Sequence, residues 1–228
     1  MYSTKDNLQV LHEDNHIIIV NKRAGDIVQG DKTGDKPLSD VVKEYIKAKY
    51  NKPGAVFLGT VHRLDRPTSG VVIYARTSKA LERLNKMLRE KTIQKTYWAV
   101  VNNQPNKTVD TLINFLKKNP KNNKSTAYPK EINGSKKAIL HYTVLKKLDN
   151  YSLLEIDLET GRHHQIRVQL SNIGSIIKGD LKYGAKRSNK DGSIHLHARK
   201  IEFTHPVSKN LIKIIAPTPS DSIWDACL

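Results

Sequence analysis

The residues of this 228-residue chain best placed to do chemistry lie at 61–70, VHRLDRPTSG, where one carboxylate, Asp65, stands between Arg63 and Arg66. Pro67, Thr68, Ser69 and Gly70 follow at once, and such residues mark a loop rather than the interior of a helix or strand. A carboxylate in this setting has two readings. It can be half of a surface ion pair, which contributes little stability. It can also be a nucleophile or base held charged by its cationic neighbours. Three further segments place polar groups where a purely structural chain would not need them. Lys95-Thr96-Tyr97 opens a β-rich run, and its tyrosine is either a half-buried strand residue or a working side chain. Gly161-Arg162-His163-His164-Gln165-Ile166-Arg167 sits at a strand-to-helix junction. Backbone N–H groups at a helix start, joined by basic residues, make an anion site. A basic first turn also opposes the helix dipole, so a use for it is worth seeking. Finally, His195 and His197 share a strand face as an H-x-H pair that can ligate metal, with His62, His163, His164 and His205 as further donors. No H-E-x-x-H or carboxylate-flanked cluster accompanies them, which argues against a metal site.

The charge balance narrows the partners. Lys and Arg number 39 against 22 Asp and Glu, a formal net charge of +17, and such an excess draws polyanions. Nucleic acid is the first candidate; an anionic membrane is disfavoured by the lack of a basic amphipathic helix with a bulky aromatic face. The single cysteine, Cys227, rules out an intramolecular disulfide and a cysteine-based zinc cluster, and suits a reducing compartment. MYSTKDNLQVLHED has neither the basic nor the apolar region of a signal peptide. The early apolar run at 17–20 is far short of the ~20 residues that span a bilayer. The expectation is a soluble, cytoplasmic protein.

The elements that must position these residues are legible as patterns. HIIIVNK at 16–22 is continuous and β-branched, as in a buried strand, and the Gly- and Asp-rich AGDIVQGDKTGDK is loop. Leu38, Val41, Val42, Tyr45 and Ile46 recur at helical spacing in PLSDVVKEYIKAKY. VVIYAR predicts a strand, and SKALERLNKMLREK a helix with Ser78 as N-cap and Leu81, Leu84 and Leu88 on one face. TYWAVVN is a β-rich run, and the lysine-rich stretch 117–137 is a mobile surface loop or hairpin. AILHYTVLKKL and YSLLEIDLE flank the turn-forming pair Asp149-Asn150, which predicts a hairpin. The helix of GRHHQIRVQLSNIG stops at Gly174, with Ile166, Leu170 and Ile173 as its buried stripe. Two strands, SIHLHARKIEF and NLIKIIAP, precede the tail. Strands outnumber helices and several are hairpin-linked. The expected class is α+β with a mainly antiparallel or mixed sheet flanked by helices and loops. No repeat or linker divides the chain, so a single domain over 1–228, with its core at about 8–217, is expected.

Taken together, five stretches of the chain resemble one family, the RluA-type pseudouridine synthases. They are HRLDRPTSG (62–70), KTYWAVV (95–101), GRHHQIRVQL (161–170), GDLKYG (179–184) and LHARKIEFTHP (196–206), in the family's order. EDNHIIIVNKRAG looks like the family's first strand and loop, so the resemblance covers nearly the whole chain. Two departures stand out: Arg23 replaces the usual Pro, and His163 the more frequent Thr, which puts any helix-capping role there in question. The resemblance implies the pseudouridine synthase fold, without the small N-terminal RNA-binding domain of some relatives. It implies conversion of a uridine in structured ribosomal or transfer RNA to pseudouridine, by a monomer needing no cofactor or metal. Asp65 maps onto the essential aspartate, Arg167 onto its ionic partner, and Tyr97 onto the tyrosine that stacks on the target base and serves proton transfer. Arg63 maps onto the arginine that fills the place vacated by a flipped base. Arg66, Arg162, His164 and Gln165 are then the RNA-contacting residues. Two rivals remain. A catalytically silent RNA-binding protein on the same fold suits the charge equally well, and a metal-dependent nuclease would use the histidines.

Overall fold

The chain opens on a hairpin of β1 (Val10–Glu13) and β2 (Ile17–Lys22), and every residue of β2 is buried. The computed structural model describes residues 2–31 and 33–228. After a loop, α1 (Leu38–Lys49) turns Leu38, Val41, Val42 and Ile46 inward, as the helical spacing predicts. β3 (Gly59–Thr60) is short, and the HRLDR loop leads into β4 (Ser69–Ala75), which pairs antiparallel with β2 from Ile17↔Ala75 to Lys22↔Gly70. Gly70 is required there: its φ is +115°, and a Cβ would lie 2.4 Å from the Ala198 carbonyl oxygen. α2 (Ser78–Arg89) follows and packs Ala80 and Leu84, with Leu81, Met87 and Leu88, onto Ile17, Ile19, Val71 and Ile73. Its N-cap is Thr77 rather than Ser78. Thr77 is extended and its side chain accepts from the Ala80 N–H at 3.1 Å, so the helix begins one residue earlier than the serine suggests.

β5 (Gln94–Val101) carries the chain into a second compact unit, Thr96–His197 with Ser220–Leu228; the first is Met1–Lys95 with Ala198–Pro219. β6 (Val109–Asn119) and β7 (Lys124–Tyr128) form a hairpin that closes at Asn119↔Lys124, so the lysine-rich stretch takes the hairpin alternative. β8 (Lys136–Lys147) and β9 (Ser152–Leu158) make the hairpin expected around Asp149-Asn150, with Leu148 N–H donating to the Tyr151 carbonyl at 2.8 Å. The strand order of this unit is β5-β9-β8-β6-β7, and its neighbours pair antiparallel.

α3 (Gln165–Asn172) buries Gln165 through Leu170 without a break. Val168 packs with Leu116, Ala138 and Tyr183. Ile173, expected in the buried stripe, is 39% exposed, because the helix ends at Asn172 and Ile173 serves as its C-cap. A 3-10 turn at Leu181–Tyr183 comes next. β10 (Leu196–Thr204) and β11 (Leu211–Ile215) then complete the first unit's sheet, whose order is β1-β2-β4-β10 with β11 on β10 and β3 on β4. α4 (Ser222–Cys227) ends the second unit, with Trp224 and Cys227 packed on Val100 and Leu153. The fold is α+β. No helix among the described residues is long and apolar enough to cross a membrane.

Candidate active site

In the first unit the HRLDR loop is held from below by a residue the sequence reading left unassigned. Lys22, the last residue of β2, is 1% exposed. Its Nζ donates to the carbonyl oxygens of Arg23 (2.9 Å), Arg66 (3.1 Å) and Thr68 (2.7 Å). One ammonium thus gathers both flanks of the loop around Asp65, and three N–H donors meet three acceptors. Burial pushes the Lys22 pKa down to about 7, against the pull of Asp26 and Asp65 and with the Arg66 charge adding to the fall. The signal was present in the sequence, since a lysine at the end of a buried strand needs a partner. Its partners are backbone atoms, which no residue pattern names.

The rest of the loop is anchored at its own ends. Thr68 N–H donates to the Asp65 carbonyl at 3.0 Å, closing a turn with Arg66 and Pro67 at its centre. His62 accepts from the Ile73 N–H at 3.2 Å through Nε2, which fastens the loop start to β4. Desolvation of that ring, helped by the charge of Lys95, lowers the His62 pKa to about 3, so the imidazole is neutral and its lone pair serves the backbone. Gly25 N–H donates to the Arg66 carbonyl at 2.8 Å, Arg66 Nε returns a bond to the Gly25 carbonyl at 3.0 Å, and the guanidinium pairs with Asp35. Asp65 is half-buried and Arg63 is exposed.

In the second unit, strand register puts Tyr97 and α3 on one face. Tyr97 lies opposite Ile156, and Ile156 opposite Tyr142, while Leu140 and Ala138 alternate along β8 on that side. α3 covers this face: Gln169 Nε2 donates to the Leu112 carbonyl at 3.0 Å, and Val168 packs on Ala138 and Leu116. Tyr97 is 8% exposed.

Arg167 is buried and meets Asp180 through two prongs, Nε to Oδ2 at 2.7 Å and an Nη2 bond to Oδ1 at 2.8 Å. Its guanidinium also lies 5.1 Å from the centre of the Tyr183 ring. Asp180 and Tyr183 belong to GDLKYG, a stretch that supports the family resemblance yet was given no role in the sequence reading. The structure supplies one, as the carboxylate and ring that fix the Arg167 guanidinium.

The residues expected to contact RNA fall into two groups. Arg162 is exposed, with Nε donating to the Lys137 carbonyl at 2.9 Å. Gln165 is turned inward instead. Its Oε1 accepts from Thr160 Oγ1 (2.8 Å) and Arg162 N–H (2.9 Å), and its Nε2 donates to the Ile139 carbonyl (3.0 Å). His164 is buried, stacked on His163 at 3.8 Å, with Nδ1 2.9 Å from the Tyr183 hydroxyl. It takes up a left-handed backbone (φ +54°) at the N-cap of α3, and no side chain caps the helix there. His163 is occupied by Ser125, whose Oγ lies 2.9 Å from its Nδ1. The two H-x-H histidines have protein neighbours too. His195 lies 3.3 Å from Asp221 and 3.0 Å from Asn189, and His197 packs against Trp224 at 6.0 Å.

Residues 16–172 match the family model described as RNA pseudouridylate synthase. An uncharacterised RNA pseudouridine synthase of Synechocystis is 34% identical over 93% of this chain and 66% of its own length. Ribosomal large subunit pseudouridine synthase D of Zymomonas mobilis is 32% identical over 94% of this chain and 70% of its own. The chain thus spans about two thirds of the length of these relatives. Among solved structures, human RNA pseudouridylate synthase domain containing 4 shares the fold, with a TM-score of 0.77 at 23% identity over 92% of this chain and 88% of that one.

Proposed function

The chain belongs to the RNA pseudouridylate synthase family, and from that premise we propose that it isomerises a uridine of ribosomal RNA to pseudouridine. The observation that carries the reading is the Asp65 loop, matched to the family's HRLD motif and fastened by three bonds from a buried lysine. A reacting carboxylate gains from being held still before substrate arrives. In the reaction the glycosidic bond from C1′ to N1 breaks and one from C1′ to C5 forms. The C5 proton leaves and N1 gains one, so no co-reactant is consumed. Asp65 is the nucleophile or base of this exchange. Tyr97 stacks on the base and moves the C5 proton.

Arg167 keeps the role that the family resemblance gives it, and Asp180 fixes its guanidinium through two N–H donors. Arg63 occupies the place of the flipped base. Arg66 and Arg162 contact the RNA, while His164 and Gln165 support it by setting the turn that carries Arg162. The names of the relatives favour ribosomal RNA over transfer RNA. On this reading the protein acts in the cytoplasm as a monomer without metal or cofactor. The test is to incubate the purified protein with ribosomal RNA from cells lacking the gene and map pseudouridine. A modification restored at a defined uridine, in the presence of a chelator, is the expected result. Restoration of none, or RNA cleavage that the chelator abolishes, would overturn the reading.

A further inference from the structure

A cavity of about 180 Å³ opens beside the Asp65 loop, within the first unit, and the family resemblance gives it no role. Its floor is apolar, made by Ile27, Leu38 and Val41, and its rim carries Arg66 and Asp35. Lys36 and Asp26 also line it, and one wall is Tyr2, a ring left 64% exposed yet held in place. The next residue, Ser3, donates from its N–H (3.1 Å) and its Oγ (2.6 Å) to the buried carboxylate of Asp26. Tyr2 itself rests on Gly25, where a Cβ would come within 3.1 Å of its Cε1. An accessible aromatic ring, tethered by a buried carboxylate at the mouth of an apolar recess, is a stacking surface.

Chemistry selects the occupant. The volume is well below the ~300 Å³ at which pockets for larger ligands begin, and suits a single planar ring system. Arg66 and Asp35 neutralise each other, Lys36 is paired with Glu44 at 2.7 Å, and Asp26 is taken by Ser3, so an isolated phosphate would find little net positive charge. A nucleobase fits better, with apolar faces for Tyr2 and the floor, and edge donors and acceptors for Asp35 and Arg66. Because Arg66 directly follows Asp65 in the chain, the base belongs near the reacting nucleotide. We propose that this cavity receives the base of a nucleotide neighbouring the target uridine, stacked on Tyr2 and hydrogen-bonded by Asp35 and Arg66. The proposal rests on the RNA pseudouridine synthase reading and adds a specificity subsite to it.

The test uses the full chain and simple probes. The 5′-monophosphates of adenosine, guanosine, cytidine and uridine, and inorganic phosphate, are titrated while the amide resonances of Gly25, Ile27 and Leu38 are followed. Saturable shifts with at least one nucleotide, absent with phosphate, are expected. Tyr2→Ala should weaken that affinity roughly fivefold or more, in line with the loss of one base–aromatic stack. Val41→Phe, which fills the recess, should abolish the shifts, and if it fails to fold the exposed Tyr2→Ala variant still decides. Equal shifts with phosphate alone, or nucleotide binding unchanged in Tyr2→Ala, would overturn the subsite. Pseudouridine formation on ribosomal RNA is scored separately. Wild-type activity without nucleotide shifts sinks the cavity alone, and nucleotide shifts without any pseudouridine sink the enzymatic reading alone.

Discussion

Asp65 and Arg167 are the two side chains at which chemistry and folding are most easily confused. Asp65→Asn keeps the shape of the loop and removes the charged oxygen, so turnover should vanish while RNA affinity stays within a few-fold. Residual turnover at a tenth of wild type would remove Asp65 from the mechanism. Arg167 is harder to read, because the structure gives it a buried partner of its own in Asp180. Arg167→Met strands that carboxylate and should cost about 3–5 kcal/mol of folding stability, whatever the arginine does in catalysis. The double variant Arg167→Met, Asp180→Leu removes both charges and should regain most of that loss, since an apolar pair can replace a buried ion pair at little cost. Its stability is measured by urea denaturation and its turnover on RNA. Recovered stability with turnover still absent is expected; recovered turnover would reduce Arg167 to a structural role.

At the scale of elements, the end of β2 and the loop before β4 act as one device through Lys22. In the unfolded chain this lysine holds its proton up to the ordinary pKa of 10.5, whereas in the folded chain burial lowers the value to about 7. Below pH 7 both states are protonated. Between about 7 and 10.5 the unfolded state binds the extra proton, so stability should rise with pH across that window, at up to about 1.4 kcal/mol per pH unit from this group. Lys22→Met should flatten the rise seen in denaturation midpoints between pH 7 and 9. It should also lower turnover, since three bonds to the loop carbonyls are lost. A variant whose midpoints climb with pH as steeply as wild type would show that Lys22 does not titrate as its burial demands. The β6–β7 hairpin is the second such device, because pairing of Lys117↔Thr126 and Lys118↔Ser125 sets its lysines on a defined framework.

The whole molecule meets its substrate first as a charge. At +17, with Lys117, Lys118 and Lys121 all exposed, affinity for RNA should be largely electrostatic. If ~5 phosphates are neutralised, log affinity should fall against log salt with a slope of roughly −3 to −5. Reversing those three lysines to glutamate should weaken binding to many RNAs alike and make the slope shallower, because phosphate contacts carry no sequence information. Filter binding over a salt series checks this, and a nearly salt-independent constant would contradict it. Selection of one uridine must then come from shape and from contacts near Asp65.

The sequence by itself determined the family, the α+β class and the hairpin around Asp149-Asn150, because these rest on local chemistry. A β-branched run is a buried strand wherever it lies, as in β2, and Asp149-Asn150 between alternating runs turns whatever surrounds it. HRLDR and GRHHQIR were legible for the same reason, as residue types at fixed spacing. Only the tertiary structure decided which atoms those residues meet. It chose Thr77 over its neighbour as a cap, exposed Ile173 where α3 stops, and turned Gln165 inward as a brace for its own turn. It also brought Asp180, 13 residues along the chain, against Arg167, and three loop carbonyls against Lys22. A hydrogen bond requires donor and acceptor within about 3 Å, and residues distant in sequence reach that separation only after the strands have paired and the helices have docked.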